Sequence, residues 1–146
     1  MMQVLLDSDV LLDYVLPRED FQFDAEQLFD AIADQKFVAF VSAIALLNVH
    51  YFAEKEHDRR YAKAKVAELL TIINVAQIGE LTFHNAFDLP IDDYEDAVQC
   101  ASAVAEELDA IVTRNVKDFA SSPLPVYSPA EFVALIQAEQ ASEKAD

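Results

Sequence analysis

The chain has a single glycine, Gly79, in 146 residues. Loops that cradle phosphates on successive backbone amides need several glycines, so the P-loop and the dinucleotide fingerprint are excluded, and nucleotide-cofactor chemistry with them. A single cysteine, Cys100, excludes an internal disulfide and a cysteine-rich zinc site. It reads as a small apolar packing residue in a reducing compartment. No apolar run approaches a membrane span, and the N-terminus lacks the basic start and cleavage pattern of a secretory signal. The expectation is a cytoplasmic protein without membrane association. Positive charge is scarce as well: ten Lys and Arg stand against 27 Asp and Glu, for a net charge of −17. A polyanion meets a repulsive field around such a chain unless metal ions or a local basic patch reverse it. Half of the ten basic residues (Lys55, Arg59, Arg60, Lys63 and Lys65) fall in one short stretch, where a solvated helix face is favoured over a nucleic-acid track. Arg114 and Lys117 flank a candidate acidic site.

What the chain has in quantity is apolar residues, 53% of the total, in short runs separated by turn signals. This suits one compact domain, residues 1–140, with residues 141–146 as a frayed tail. Gln3 to Leu6 reads as a first strand, and Val10 to Leu16 as a short helix closed by Pro17. Asp24 to Ala33 reads as a second helix and Phe37 to Val41 as a second strand. Ser42 caps a helix to about Glu56, and another runs from about Arg59 to Leu70. Ile72 to Ile78 is a third strand. The acidic group Asp92-Asp93-Tyr94-Glu95-Asp96 opens a helix to about Leu108, followed by a strand over Asp109 to Thr113. Pro125 to Tyr127 is a last short strand, and Ser128-Pro129-Ala130-Glu131 is a capping box for a terminal helix. Strands alternating with helices imply parallel crossovers and an α/β fold built as a three-layer α/β/α sandwich.

The chemistry is carboxylate chemistry. Val4-Leu5-Leu6-Asp7 is a buried strand that delivers an acid to the carboxyl edge of the sheet, where open α/β folds build their sites. Asp96 lies in the first turn of the late helix, and Asp118 follows the fourth strand in Thr113-Arg114-Asn115-Val116-Lys117-Asp118-Phe119. Hard cations such as Mg²⁺ and Mn²⁺ take oxygen ligands and keep several waters, so two or three convergent carboxylates suffice to hold one. Such an ion polarises a phosphodiester and activates an attacking water without any nucleophilic side chain.

Three segments in this order resemble the PIN-domain family, which includes the toxin halves of VapBC-type toxin and antitoxin pairs. They are Leu5-Leu6-Asp7-Ser8-Asp9-Val10-Leu11-Leu12-Asp13, Asp93-Tyr94-Glu95-Asp96-Ala97, and Ile111 to Phe119. The resemblance extends over nearly the whole chain. It implies a parallel sheet of about five strands with helices on both faces, a metal-dependent endoribonuclease acting on RNA, an antitoxin partner and commonly a homodimer. It assigns Asp7, Asp96 and Asp118 to a Mg²⁺ or Mn²⁺ ion. The family's usual Glu after the second strand is replaced by Asn48, whose amide oxygen can coordinate but carries no charge. That substitution motivates a second hypothesis, a degenerate module that binds RNA or protein without cutting.

Other residues have local readings. Asp9 and Asp13 cap or solvate the first helix, with Asp9 also a candidate behind the metal ligands. Ser8 reads as a cap, although Ser8 and Thr113 are both candidates to position water or phosphate. Arg114 is a candidate phosphate contact, and Asn115 is read equally as a turn former or a site contact. His50, His57 and His84 have no metal-ligand spacing. The aromatic residues from Phe21 to Phe52 read as core or dimer surface. Asp7-Ser8-Asp9 superficially resembles the acid pair of haloacid dehalogenase phosphatases, but the Gly-Thr that usually follows is missing.

Overall fold

The computed structural model describes residues 1–145; Asp146 lies outside them. Five strands form one sheet in the order β3-β2-β1-β4-β5, and every neighbouring pair is parallel. They are β1 (Gln3–Leu6), β2 (Val38–Ser42), β3 (Asn74–Ala76), β4 (Ala110–Val112) and β5 (Val126–Tyr127). The helices are α1 (Ser8–Val15), α2 (Gln22–Ala33), α3 (Ala43–Glu56), α4 (Arg59–Leu70), α5 (Glu80–Ala86), α6 (Tyr94–Ala105) and α7 (Pro129–Ala145). No described helix is long and apolar enough to cross a membrane.

Strand β1 holds the two helical layers apart. Val4, Leu5 and Leu6 are completely buried, and alternation along the strand sends them to opposite faces. Val4 and Leu6 join Val10, Leu11, Leu28, Val49 and Phe132, from α1, α2, α3 and α7. Leu5 joins Cys100, Ala103, Ile111 and Phe119 on the α6 side. Full burial of a side chain of this size contributes roughly 1.5–3 kcal/mol. Three in a row make β1 a firm base for the acid that follows it. Cys100 is buried there, as a packing residue.

The caps read from the sequence form. Ser42 Oγ accepts from the Ala45 amide at 3.1 Å and starts α3. Ser128 and Glu131 exchange reciprocal bonds of 3.2 and 3.0 Å at the start of α7. The late helix is shorter than expected, with Asp93 as its N-cap and Glu107 in a left-handed turn (φ 58°) after its end. Ala141 to Ala145, assigned above to a frayed tail, continue α7. Helix α5 was not anticipated. It buries only Thr82 and Ala86, so its apolar residues follow no helical period. What starts it is local: the Thr82 hydroxyl accepts from the Gly79 amide at 3.1 Å. Ala86 then packs on Ala97, Val98 and Ala101 of α6.

Sequence order reverses at β1. The chain moves from β1 to β2 and β3 on one side, then returns to place β4 and β5 on the other. A crevice opens at the carboxyl ends of β1 and β4, the topological switch point of the sheet.

Candidate active site

Asp7 leaves β1 with its backbone amide still bonded to the Val112 carbonyl at 2.9 Å, so the sheet fixes its position. It has the extended conformation of an N-cap, and its Oδ1 accepts from the Ser8 amide at 2.7 Å. Asp7 is therefore the cap of α1 and Ser8 is its first helical residue, which corrects the reading of Ser8 as a cap. Only 7% of Asp7 is exposed. A carboxylate so buried is costly unless its oxygens find donors, and three residues supply them. Besides Ser8, Gln99 Nε2 reaches Oδ1 at 3.3 Å and Thr113 Oγ donates to Oδ2 at 2.8 Å.

Thr113 is fully buried at the end of β4. Its hydroxyl proton serves Asp7, and its oxygen accepts from the Asn115 amide at 3.0 Å, which closes a tight turn. Asp9 clasps the same turn. Its Oδ2 accepts from the Arg114 amide at 3.2 Å and from Asn115 Nδ2 at 2.8 Å. Burial, and then the neighbouring charge of Asp7, push the Asp9 pKa up to about 7. Asn115 thus both forms the turn and holds the Asp9 carboxylate. Asp13 is neither a cap nor solvated: it is 2% exposed and ion-paired to Arg114 Nε at 2.6 Å. The Arg114 guanidinium also lies 3.9 Å from the centre of the Phe21 ring. Arg114 is committed to a structural pair, which argues against the phosphate contact read from sequence.

Across the crevice, Asp93 caps α6 through a 2.9 Å bond from the Asp96 amide. This leaves Asp96 in the first turn facing the other acids. Burial raises its pKa to about 7, and the charges of Asp7, Asp93, Asp118 and Glu95 add to the shift. Asp118 sits in a 3₁₀ turn, Val116–Phe119, whose Phe119 is buried beneath the sheet. Asp96 and Asp118 line one cleft of about 450 Å³ with Asp92, Asp93 and Lys117. The carboxylates are close enough to repel one another. Even so, among the described residues no group of three or more His, Cys, Asp or Glu side chains is drawn tightly enough together to cage a metal ion.

Asn48 projects from α3 to the same α6 turn and donates from Nδ2 to Glu95 Oε1 at 2.8 Å. Glu95, read from sequence as a partner of the helix dipole, is therefore tied to the position where an acid is missing. Gln99 was not singled out by the sequence. It is 1% exposed, accepts from Ser42 Oγ at 3.4 Å and donates to Asp7, linking the start of α3 to the end of β1. The available signal was Asp96-Ala97-Val98-Gln99: a lone amide one helical turn after an acid, in a run of small apolar residues.

The donors at the cleft are oxygens without His or Cys, and their charge is poorly neutralised. That chemistry fits a hard divalent cation held in part through water. Asp7, Asp96 and Asp118 would hold it, with the Asn48 amide oxygen as a neutral auxiliary.

The architecture has relatives. A complex of VapBC2 from Rickettsia felis, bound to a DNA fragment from its promoter, contains a chain that superposes with a TM-score of 0.67 at 17% identity, over 86% of this chain and 97% of that one. A toxin–antitoxin complex from Klebsiella pneumoniae gives 0.65 at 25% identity over 86% and 97%. VapC20 from Mycobacterium tuberculosis, a toxin that cleaves the sarcin–ricin loop, gives 0.61 at 15% over 74% and 86%. No curated protein matches in sequence. A family model described as the PIN domain matches residues 3–117, a stretch that runs from the start of β1 through the Thr113 turn. With its five parallel strands in place and its acids at the switch point, the chain belongs to the PIN-domain family.

Proposed function

We propose that this protein is a divalent-metal-dependent endoribonuclease and the toxin half of a toxin–antitoxin pair. The observation that carries the reading is the convergence of Asp92, Asp93, Asp96 and Asp118 on one cleft, where burial and the charges of Asp7, Asp93, Asp118 and Glu95 push the Asp96 pKa up to about 7. Such a concentration of like charge destabilises a fold by itself and is relieved by a bound Mg²⁺ or Mn²⁺. When bound, that ion supplies Lewis-acid polarisation of the phosphodiester and activates water for in-line attack.

The chain's own residues do the rest. Thr113, Ser8 and Gln99 hold both oxygens of Asp7 in one orientation before substrate arrives. Asp9 and Asn115 brace the turn that carries Thr113. Lys117, on the rim of the cleft, provides a countercharge for an RNA phosphate. The acidity that binds the metal also invites inhibition by a basic segment of an antitoxin partner. A homodimer accords with the exposed Leu81 and Phe87 on and after α5.

The second reading, a non-cleaving PIN module, is favoured by the Asn48–Glu95 bond and by the absence of a closed ligand group among the described residues. One experiment separates the two. Labelled single-stranded RNA is incubated with the protein in Mg²⁺, Mn²⁺ or EDTA, beside Asp7→Asn and Asp96→Asn. Metal-dependent cleavage lost in both variants supports the nuclease; RNA left intact by the unaltered protein in either metal supports the binding module.

A further inference from the structure

From the exposed face of the α3–α4 hairpin we infer a second RNA-binding surface, one that receives single-stranded RNA on aromatic and basic side chains and leads it to the acidic cleft. The inference rests on the ribonuclease reading for its substrate class.

The surface begins beside Asn48, whose amide reaches Glu95 in the first turn of α6. Leu47 is 70% exposed and Tyr51 59%, and Phe52 is also open to solvent. Tyr51 and Phe52 meet edge to face with ring centroids 5.2 Å apart. Residues 47, 51 and 55 share one face of α3 at helical spacing, so Lys55 continues the row. The row covers about 12 Å at the rise of an α-helix. Past the bend at Asp58, Arg60 and Lys63 open α4 one turn apart and are exposed. Among the described residues, Lys55, Arg60 and Lys63 enter no ion pair, whereas Arg59 is joined to Glu54 and Lys65 to Glu68.

Charge identifies the occupant. The chain carries a net −17, yet this hairpin, with five of the ten basic residues against Glu54, Glu56, Asp58 and Glu68, carries +1. A helical hairpin merely keeping a protein soluble has no need of two adjacent exposed rings, and a purely apolar subunit contact has no need of unpaired cations. Exposed aromatics followed by free cations are a combination that single-stranded nucleic acid uses, its bases stacking and its phosphates finding countercharge. For a strongly acidic enzyme with a polyanionic substrate, such a patch is also where the repulsive field is weakest.

The test uses fluorescence anisotropy of a labelled oligouridine in EDTA, where cleavage is off and the cleft acids attract no phosphate. The full chain is compared with Asp7→Asn, with Arg60→Glu/Lys63→Glu, and with Tyr51→Ala/Phe52→Ala, all checked for folding by circular dichroism. The expected result is salt-sensitive binding by the full chain, equal binding by Asp7→Asn, and at least a tenfold loss in each hairpin variant. The charge-reversed protein should also show a shallower dependence on salt. In Mg²⁺ the hairpin variants should raise KM for RNA and leave kcat unchanged. No RNA binding by the full chain, or equal binding by the hairpin variants, overturns the inference. So does a loss of dimer in the aromatic variant without any effect on RNA, which makes the face a contact between copies. Hairpin-dependent RNA binding without cleavage in any metal supports the surface and sinks the nuclease; cleavage indifferent to the hairpin does the reverse.

Discussion

Gln99 donates from Nε2 to Asp7 Oδ1 across 3.3 Å, joining α6 to the end of β1 through a side chain that is 1% exposed. The same amide accepts from Ser42, so one buried residue aligns the two elements that carry Asp7 and Asn48. Gln99→Leu keeps most of the volume and removes both bonds, leaving the Ser42 hydroxyl and one Asp7 oxygen short of a partner. The expected loss of stability is about 1–3 kcal/mol. Urea unfolding measures it, and an RNA-cleavage assay well below the midpoint should show kcat reduced at least tenfold. Unchanged cleavage by a folded Gln99→Leu protein would mean that Asp7 needs no such alignment.

A second expectation concerns pH. Asp96 has a folded pKa of about 7 against an ordinary value of 3.8. Between those values the folded state holds a proton that the unfolded state has released, so metal-free stability falls as pH rises through that window. Asp9, also raised to about 7, acts in the same direction. Asp96→Asn stays neutral at every pH and should therefore be more stable than the natural chain at pH 8 in EDTA. The gain should be on the order of 1 kcal/mol, about 2–4 °C in Tm, after allowance for solvent screening. It should vanish near pH 4. Thermal melts at the two pH values decide the matter, and Mg²⁺ should narrow the difference at pH 8 by stabilising only the natural chain.

Why some of this was legible and some was not follows from range. Asp7 is readable because its causes are adjacent in sequence: an apolar strand, then an acid, then a helix. The caps at Ser42 and Ser128 are readable for the same reason, since each bonds within three residues. The partners of Asp9 and Asp13 lie in the turn around Arg114, about a hundred residues further on, and no local pattern announces them. Both acids therefore read as polar helix residues. Helix α5 failed differently. Leu81 is 70% exposed, so the periodicity that marks a buried helical face never arises.

The Asp13–Arg114 pair should prove important for stability. Its carboxylate is almost fully buried, and the guanidinium is pinned between it and Phe21. Removing one partner leaves the other charge uncompensated, which typically costs about 3–5 kcal/mol. Asp13→Ala is expected near the lower end, because Arg114 is 21% exposed and keeps some hydration. Asp13→Leu combined with Arg114→Met should recover most of the loss, since replacing a whole buried pair by apolar groups is often close to neutral. Denaturant curves for the single and double variants test this. A double variant no better than Asp13→Ala would locate the effect in packing rather than in charge.

Asn48 offers the most direct question about the cleft. Its amide donates at 2.8 Å to Glu95, one of the acids whose charge raises the Asp96 pKa. Asn48→Glu replaces a donor with a second carboxylate at the same place. Without metal the added acid is repelled, and the protein should lose about 1 kcal/mol, more at pH 8 than at pH 5, because the neighbouring Asp96, with its pKa of about 7, is charged only at the higher pH. With metal the added charge should strengthen binding, so that Kd for Mn²⁺ falls at least tenfold by isothermal titration. Asn48→Ala separates the two contributions: it removes the bond to Glu95 without adding charge, and should weaken stability without tightening Mn²⁺. If Asn48→Glu destabilises the metal-free protein yet leaves the Mn²⁺ affinity unchanged, the α3 position does not reach the ion, and the acids of β1, α6 and the Asp118 turn would have to hold it alone.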